Sequence, residues 1–65
     1  MRSWTTRPGE RIRLPQGVKK TEEKPGGVEI YYHKTLDLWY KITPDGRGGY
    51  VVEEFTDAEV GECCG

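Results

Sequence analysis

From Val28 onward the chain alternates. In GGVEIYYHK, Val28, Ile30 and Tyr32 project to one side of an extended backbone, and Glu29, Tyr31 and His33 to the other. In LDLWYKITP the alternation sets Leu36, Leu38, Tyr40 and Ile42 against Asp37, Trp39, Lys41 and Thr43. A period of two marks a half-buried strand, because successive side chains leave opposite faces of the pleat. The segment TPDGRGG interrupts it: Pro44 presets φ for a turn, Asp45 can bond back to the backbone, and Gly46 accepts positive φ. GYVVEEF then resumes the extended pattern up to Phe55. The pattern predicts a meander of strands over 28–33, 37–43 and 49–55, joined by HKTLD and PDGRGG.

Outside the meander the signals are shorter. In RIRL, Ile12 and Leu14 can face a core, which predicts a fourth, short strand over Arg11–Leu14, held to an edge by Pro8-Gly9 and Pro15. The polar run up to Pro25-Gly26-Gly27 predicts an exposed loop over 17–27. After the third strand, TDAE places Thr56 three residues before Glu59, the spacing of a capping box, with Gly61 set to stop the turn. Nine glycines and four prolines oppose longer helices. The expected fold is mainly β: a small antiparallel meander of three to four strands, twisted toward a half-barrel, with at most one short C-terminal helical turn. It forms a single domain over 1–65, with an ordered core over 11–60 and a flexible tail over 61–65.

Composition limits what such a sheet can do. Hydrophobic residues make up 34% of the chain and charged residues 32%, which leaves little to line a deep pocket. The low hydropathy raises disorder as an alternative, but a net charge of −1 and 11% aromatic residues favour a folded core. The basic start, MRSWTTRPGERIRLP, lacks an apolar h-region, and LWY and YVV are the longest purely apolar runs. The expectation is a soluble, cytoplasmic chain with no membrane partner. Residues 1–34 hold eight Lys/Arg against four acids, and residues 35–65 hold two against seven. Because the total nearly cancels, two halves attracting each other within one fold account for this polarity better than a basic face does.

Catalytic chemistry finds few residues to work with. A structural zinc needs about four ligands, usually with C-x-x-C spacing, and the chain offers only His33 and the adjacent Cys63 and Cys64. The GECCG ending is similar to the vicinal-cysteine tail of mercuric reductases over those five residues alone. That resemblance implies soft-metal or redox thiol chemistry, a third-ranked reading here, and no metal or cofactor is assigned. Acid–base work at His33 would need Glu53 or Glu54 brought to it and Arg47 beside them, and the acidic pI of about 5.8 opposes RNA cleavage. GRGGY lacks the lysine and spacing of a phosphate loop. The chain is expected not to be an enzyme.

An aromatic face is the remaining constellation. With Val28, Ile30, Tyr32, Leu38, Tyr40 and Ile42 in the core, Tyr31, Trp39 and Lys41 share the other face, with Val51 or Phe55 near. Exposed aromatics beside a cation suit a protein hot spot or stacked bases. The alternative reading is that residues 1–14, including Trp4, fold back over that face and cover it. The leading expectation is a small non-catalytic accessory factor or inhibitor that docks on a larger protein partner through Tyr31, Trp39 and Lys41, with Arg11 and Arg13 adding charge. Nucleic-acid binding through the basic N-terminal half is the alternative.

Overall fold

A computed structural model of the protein describes residues 1–59. Five strands form one open antiparallel sheet: β1 (Arg2–Thr5), β2 (Lys19–Lys24), β3 (Val28–His33), β4 (Leu38–Pro44) and β5 (Tyr50–Thr56). Their order is β1-β5-β4-β3-β2. Strands β2 to β5 are a continuous meander, and β1 crosses to pair with β5, so the first strand lies beside the last. The meander over β3–β5 is the one the alternation predicts.

Two further strands come from segments with weaker patterns. KKTEEK is extended where a loop was expected, paired with β3 at the edge of the sheet. Its stability there owes nothing to burial, since every residue in it is exposed. Thr21 Oγ1 donates to the Ile30 carbonyl, and Lys20 Nζ contacts Glu23 and Glu29. A charged strand of this kind suits an edge, where it discourages further strands from adding. The other addition is β1, in a stretch where the sequence gives no strand signal; the ordered sheet therefore begins at Arg2, ahead of the expected core over 11–60. Conversely, Arg11–Leu14 is not a strand. It is an irregular stretch whose Ile12 and Leu14 pack against the core, as their spacing predicts.

Among the described residues the core lies on one face. Tyr40, Ile42 and Val52 are its fully buried members, and Trp4, Ile12, Leu14, Val18, Tyr31, Leu38 and Tyr50 pack around them. The segment between β1 and β2 thus supplies the second layer. Its entry is tied down by Thr6, whose N–H donates to the Tyr50 carbonyl and whose Oγ1 accepts from the Tyr50 N–H, both at 2.9 Å. Its far end is tied down by His33, whose Nε2 lies 2.8 Å from the Gln16 carbonyl while Nδ1 accepts the Leu36 N–H at 3.0 Å. Those two bonds require the tautomer with hydrogen on Nε2.

Local signals in the turns are met. Asp45 Oδ1 accepts from the N–H groups of Arg47 and Gly49, and Gly46 has φ of +82°. Thr56 and Glu59 form the reciprocal capping box: each backbone N–H donates to the other's side-chain oxygen. A helical turn begins at Asp57. Arg2 with Glu54, and the N-terminal amine with Glu59, join the basic first half to the acidic second.

Candidate functional site: the outer face of the sheet

The turn Lys34–Asp37 decides which side chains share a face. It sets His33 opposite Leu38, so Tyr31 pairs with Tyr40 and Tyr32 with Trp39. Odd positions of β3 therefore accompany even positions of β4, and the expected core set is half wrong. Val28, Ile30 and Tyr32 lie on the face away from the core, whereas Glu29, Tyr31 and His33 lie on the core side. A slip of one residue exchanges the faces of a whole strand, and VEIYYH carries apolar side chains at both parities. Asp37 completes the turn with φ of 55° and accepts a hydrogen bond from the Tyr32 hydroxyl at 2.9 Å.

The resulting outer face is aromatic. Trp39 stands between Tyr32 on β3 and Phe55 on β5 in one cross-strand row. The Tyr32 and Trp39 rings are tilted together, with centroids 4.5 Å apart. In the next row Lys41 stands between Ile30 and Glu53, with Ser3 of β1 beyond. Tyr32, Trp39, Lys41, Glu53 and Phe55 are all half-buried by their neighbours within the sheet. Among the described residues no segment crosses this face, because Ile12, Leu14 and Val18 all pack on the opposite side.

Two carboxylates border the aromatic row. Asp37 accepts from Tyr32, and Asp57 lies 3.4 Å from the Trp39 indole nitrogen, which donates to it. The hydrogen bond to Asp37, with lesser contributions from burial and the negative charges of Asp37 and Asp57, holds the Tyr32 phenol above its usual range.

The predicted site is thus only partly assembled. Trp39 and Lys41 share the outer face. Tyr31 does not, because it packs on the core side against Tyr40. Arg11 and Arg13 are exposed on the segment that crosses the core side. Trp4 covers none of the outer aromatics: its ring meets Tyr40 edge-on, 6.4 Å between centroids, with the Arg2 guanidinium 5.6 Å from its own centroid. Tyr32, expected in the core, Phe55, expected only near the face, and Glu53 are the face residues that sequence reasoning did not assign to it. The length of the HKTLD turn was the signal for Tyr32, but that turn permits either parity.

The core side has its own polar group. Tyr40 donates to Glu54 at 2.7 Å, and burial, reinforced by that bond, pushes its phenol up to about 12. His33, Glu53 and Arg47 do not converge: His33 serves two backbone groups, Glu53 faces outward, and Arg47 sits in the turn after β4. Among the described residues no three His, Cys, Asp or Glu side chains are grouped to hold a metal, and Cys63 and Cys64 lie outside them. Among those residues, too, no helix is long and apolar enough to cross a membrane. No protein-family model, curated protein or solved structure matches the chain.

Proposed function

We propose that this protein is a small non-catalytic binding module that docks on a larger protein through the Tyr32–Trp39–Phe55 face, as an accessory factor or inhibitor. The observation that carries this reading is the single row of three aromatic side chains on a sheet face that no described segment covers. Rigid aromatics lose little conformational entropy on binding and dominate protein interfaces. Lys41 and Glu53, beside the row, supply the polar contacts that fix orientation.

Nucleic-acid binding receives less support. Stacked bases need cations beside the rings; Lys41 is a cation there, whereas Asp37 and Asp57 bond directly to Tyr32 and Trp39, and Arg11 and Arg13 lie across the other side. Mixed-sequence single strands titrated at low salt should show no binding below about 10 μM.

The test is site-specific photo-crosslinking in the cells that make the protein. A photoreactive side chain at Thr43, on the outer face, should capture a discrete protein whose crosslinked product is heavier than two copies of this chain. The same group at Arg13 should capture none. Equal capture from both positions, or capture from Arg13 alone, would overturn the assignment of the face.

A further inference from the structure

The outer face also has a symmetry of composition. Strands β4 and β5 set Trp39 opposite Phe55, Lys41 opposite Glu53, and Thr43 opposite Val51, in three successive outward rows. Although they are cross-strand neighbours, neither Lys41 nor Glu53 has an ion-pair partner within 4.0 Å among the described residues. We propose that a second copy of this chain stacks on this face, related by a two-fold axis running between β4 and β5 and parallel to them.

Half a turn about that axis lays β4 of one copy over β5 of the other at the same height. Lys41 then meets Glu53 of the second copy, and Glu53 meets its Lys41. Trp39 meets Phe55 of the second copy in the same way. Each contact occurs twice, as a closed two-fold interface requires. Sheets stack face to face about 10 Å apart with strands within about 30° of one another, a tolerance that a flat aromatic row accommodates. The ion pairs and the ring contacts therefore form together, in one register.

Size and stability agree with this arrangement. The axis overlays four strands of each copy, β1, β5, β4 and β3; at about 4.8 Å per strand and about six residues of about 3.3 Å, the shared face is about 20 by 20 Å. Two such faces bury roughly 800 Å², below the standard size of a specific interface, so the dimer belongs to the weak, concentration-dependent class. Among the described residues, only Tyr40, Ile42 and Val52 are fully buried hydrophobics within one copy. Chains this short commonly add an oligomer contact to a core that small.

This goes beyond docking on a larger protein, since it names what occupies the face when no other partner is present. The two are tested apart: self-association is measured on the purified chain alone, whereas docking is measured in cells. Sedimentation equilibrium from about 1 μM to about 1 mM should show the mass rising from 7.4 kDa toward twice that value. Lys41→Glu alone sets like charges against each other, and so does Glu53→Lys alone, so each variant should stay monomeric. Mixed in equal amounts they restore both pairs, and the doubled mass should return. A wild-type chain that stays monomeric throughout, single variants that still dimerise, or a mixture that fails to recover would each overturn the proposal. A measurement free of variants stands beside it: in a mixture of isotope-labelled and unlabelled chains, magnetisation should pass from Trp39 of one copy to Phe55 of the other. Its absence at concentrations where the mass is doubled would place the contact elsewhere.

Discussion

Ile42 and Ile30 are chemically identical, yet the register of β3 against β4 separates their fates. Ile42 is 2% exposed and packs with Tyr40 and Val52 beneath the segment between β1 and β2. Ile30 is half-exposed on the outer face beside Lys41. Truncation to alanine removes an ethyl and a methyl group from either. At about 0.8 kcal/mol per buried carbon, the transfer loss at Ile42 is about 2.4 kcal/mol, and the unfilled cavity raises it to about 3–4 kcal/mol. A chain of this length has about 3–10 kcal/mol in all, so Ile42→Ala should leave the protein barely folded or unfolded. At Ile30 roughly half the transfer loss applies and water fills the gap, so the expected cost is about 1 kcal/mol. Urea denaturation at low micromolar concentration, where self-association contributes least, measures both through their midpoints at a common slope. An Ile30→Ala cost equal to or above that of Ile42→Ala would mean that β3 is shifted by one residue. The aromatic row would then dissolve with it.

Three further substitutions probe other joints of the fold. A Cβ at Gly49 would meet the Thr6 carbonyl oxygen at 2.5 Å, so Gly49→Ala must push apart the paired backbones there and should cost about 2–4 kcal/mol; a loss below about 0.5 kcal/mol would show that the close approach is not real. Tyr40 titrates near 10 when unfolded and at about 12 when folded, so its contribution is complete below pH 10 and is lost as pH rises toward 12. Wild type should therefore lose about 2–3 kcal/mol across that window, and Tyr40→Phe should lose clearly less, although Tyr32 keeps some slope of the same sign; parallel curves for the two proteins would refute this. His33→Ala strands the Gln16 carbonyl and the Leu36 N–H, at an expected cost of about 1–3 kcal/mol, and Leu36 should exchange its amide hydrogen faster; unchanged exchange would show that the imidazole does not hold the turn.

What could be read from the sequence was local, and what could not was set by pairing. Strands β3 to β5, the Asp45 turn and the Thr56–Glu59 cap each announce themselves within a few residues, because backbone geometry and short-range hydrogen bonds fix them. Ile12 and Leu14 were legible as core from their alternation with Arg11 and Arg13, even though their segment is not a strand. Lys19–Lys24 was illegible: nothing in KKTEEK favours a strand until an adjacent edge offers it hydrogen bonds, and its exposed charges are what a loop also carries. The face of Tyr31 was decided by the parity of one turn, and VEIYYH presents apolar groups either way. Trp39 and Lys41 survive as outer-face residues because WYKI, unlike YYH, alternates cleanly against the buried Tyr40 and Ile42.

The pairing of β1 with β5 also bears on how the sheet assembles. Strands β2 to β5 join neighbours through short turns, so their contacts close small loops and can form early. Trp4 against Val52, by contrast, links positions about three-quarters of the chain apart, and its closure entropy is met only after a β5 edge exists to receive it. The N-terminal strand is therefore the last to dock and the first to leave. A substitution confined to Arg2–Thr5 should quicken unfolding while scarcely slowing folding, because its contacts are absent from the transition state. For the same reason, brief detachment of β1 would make β5, in place of β1, the unpaired edge of the remaining four strands.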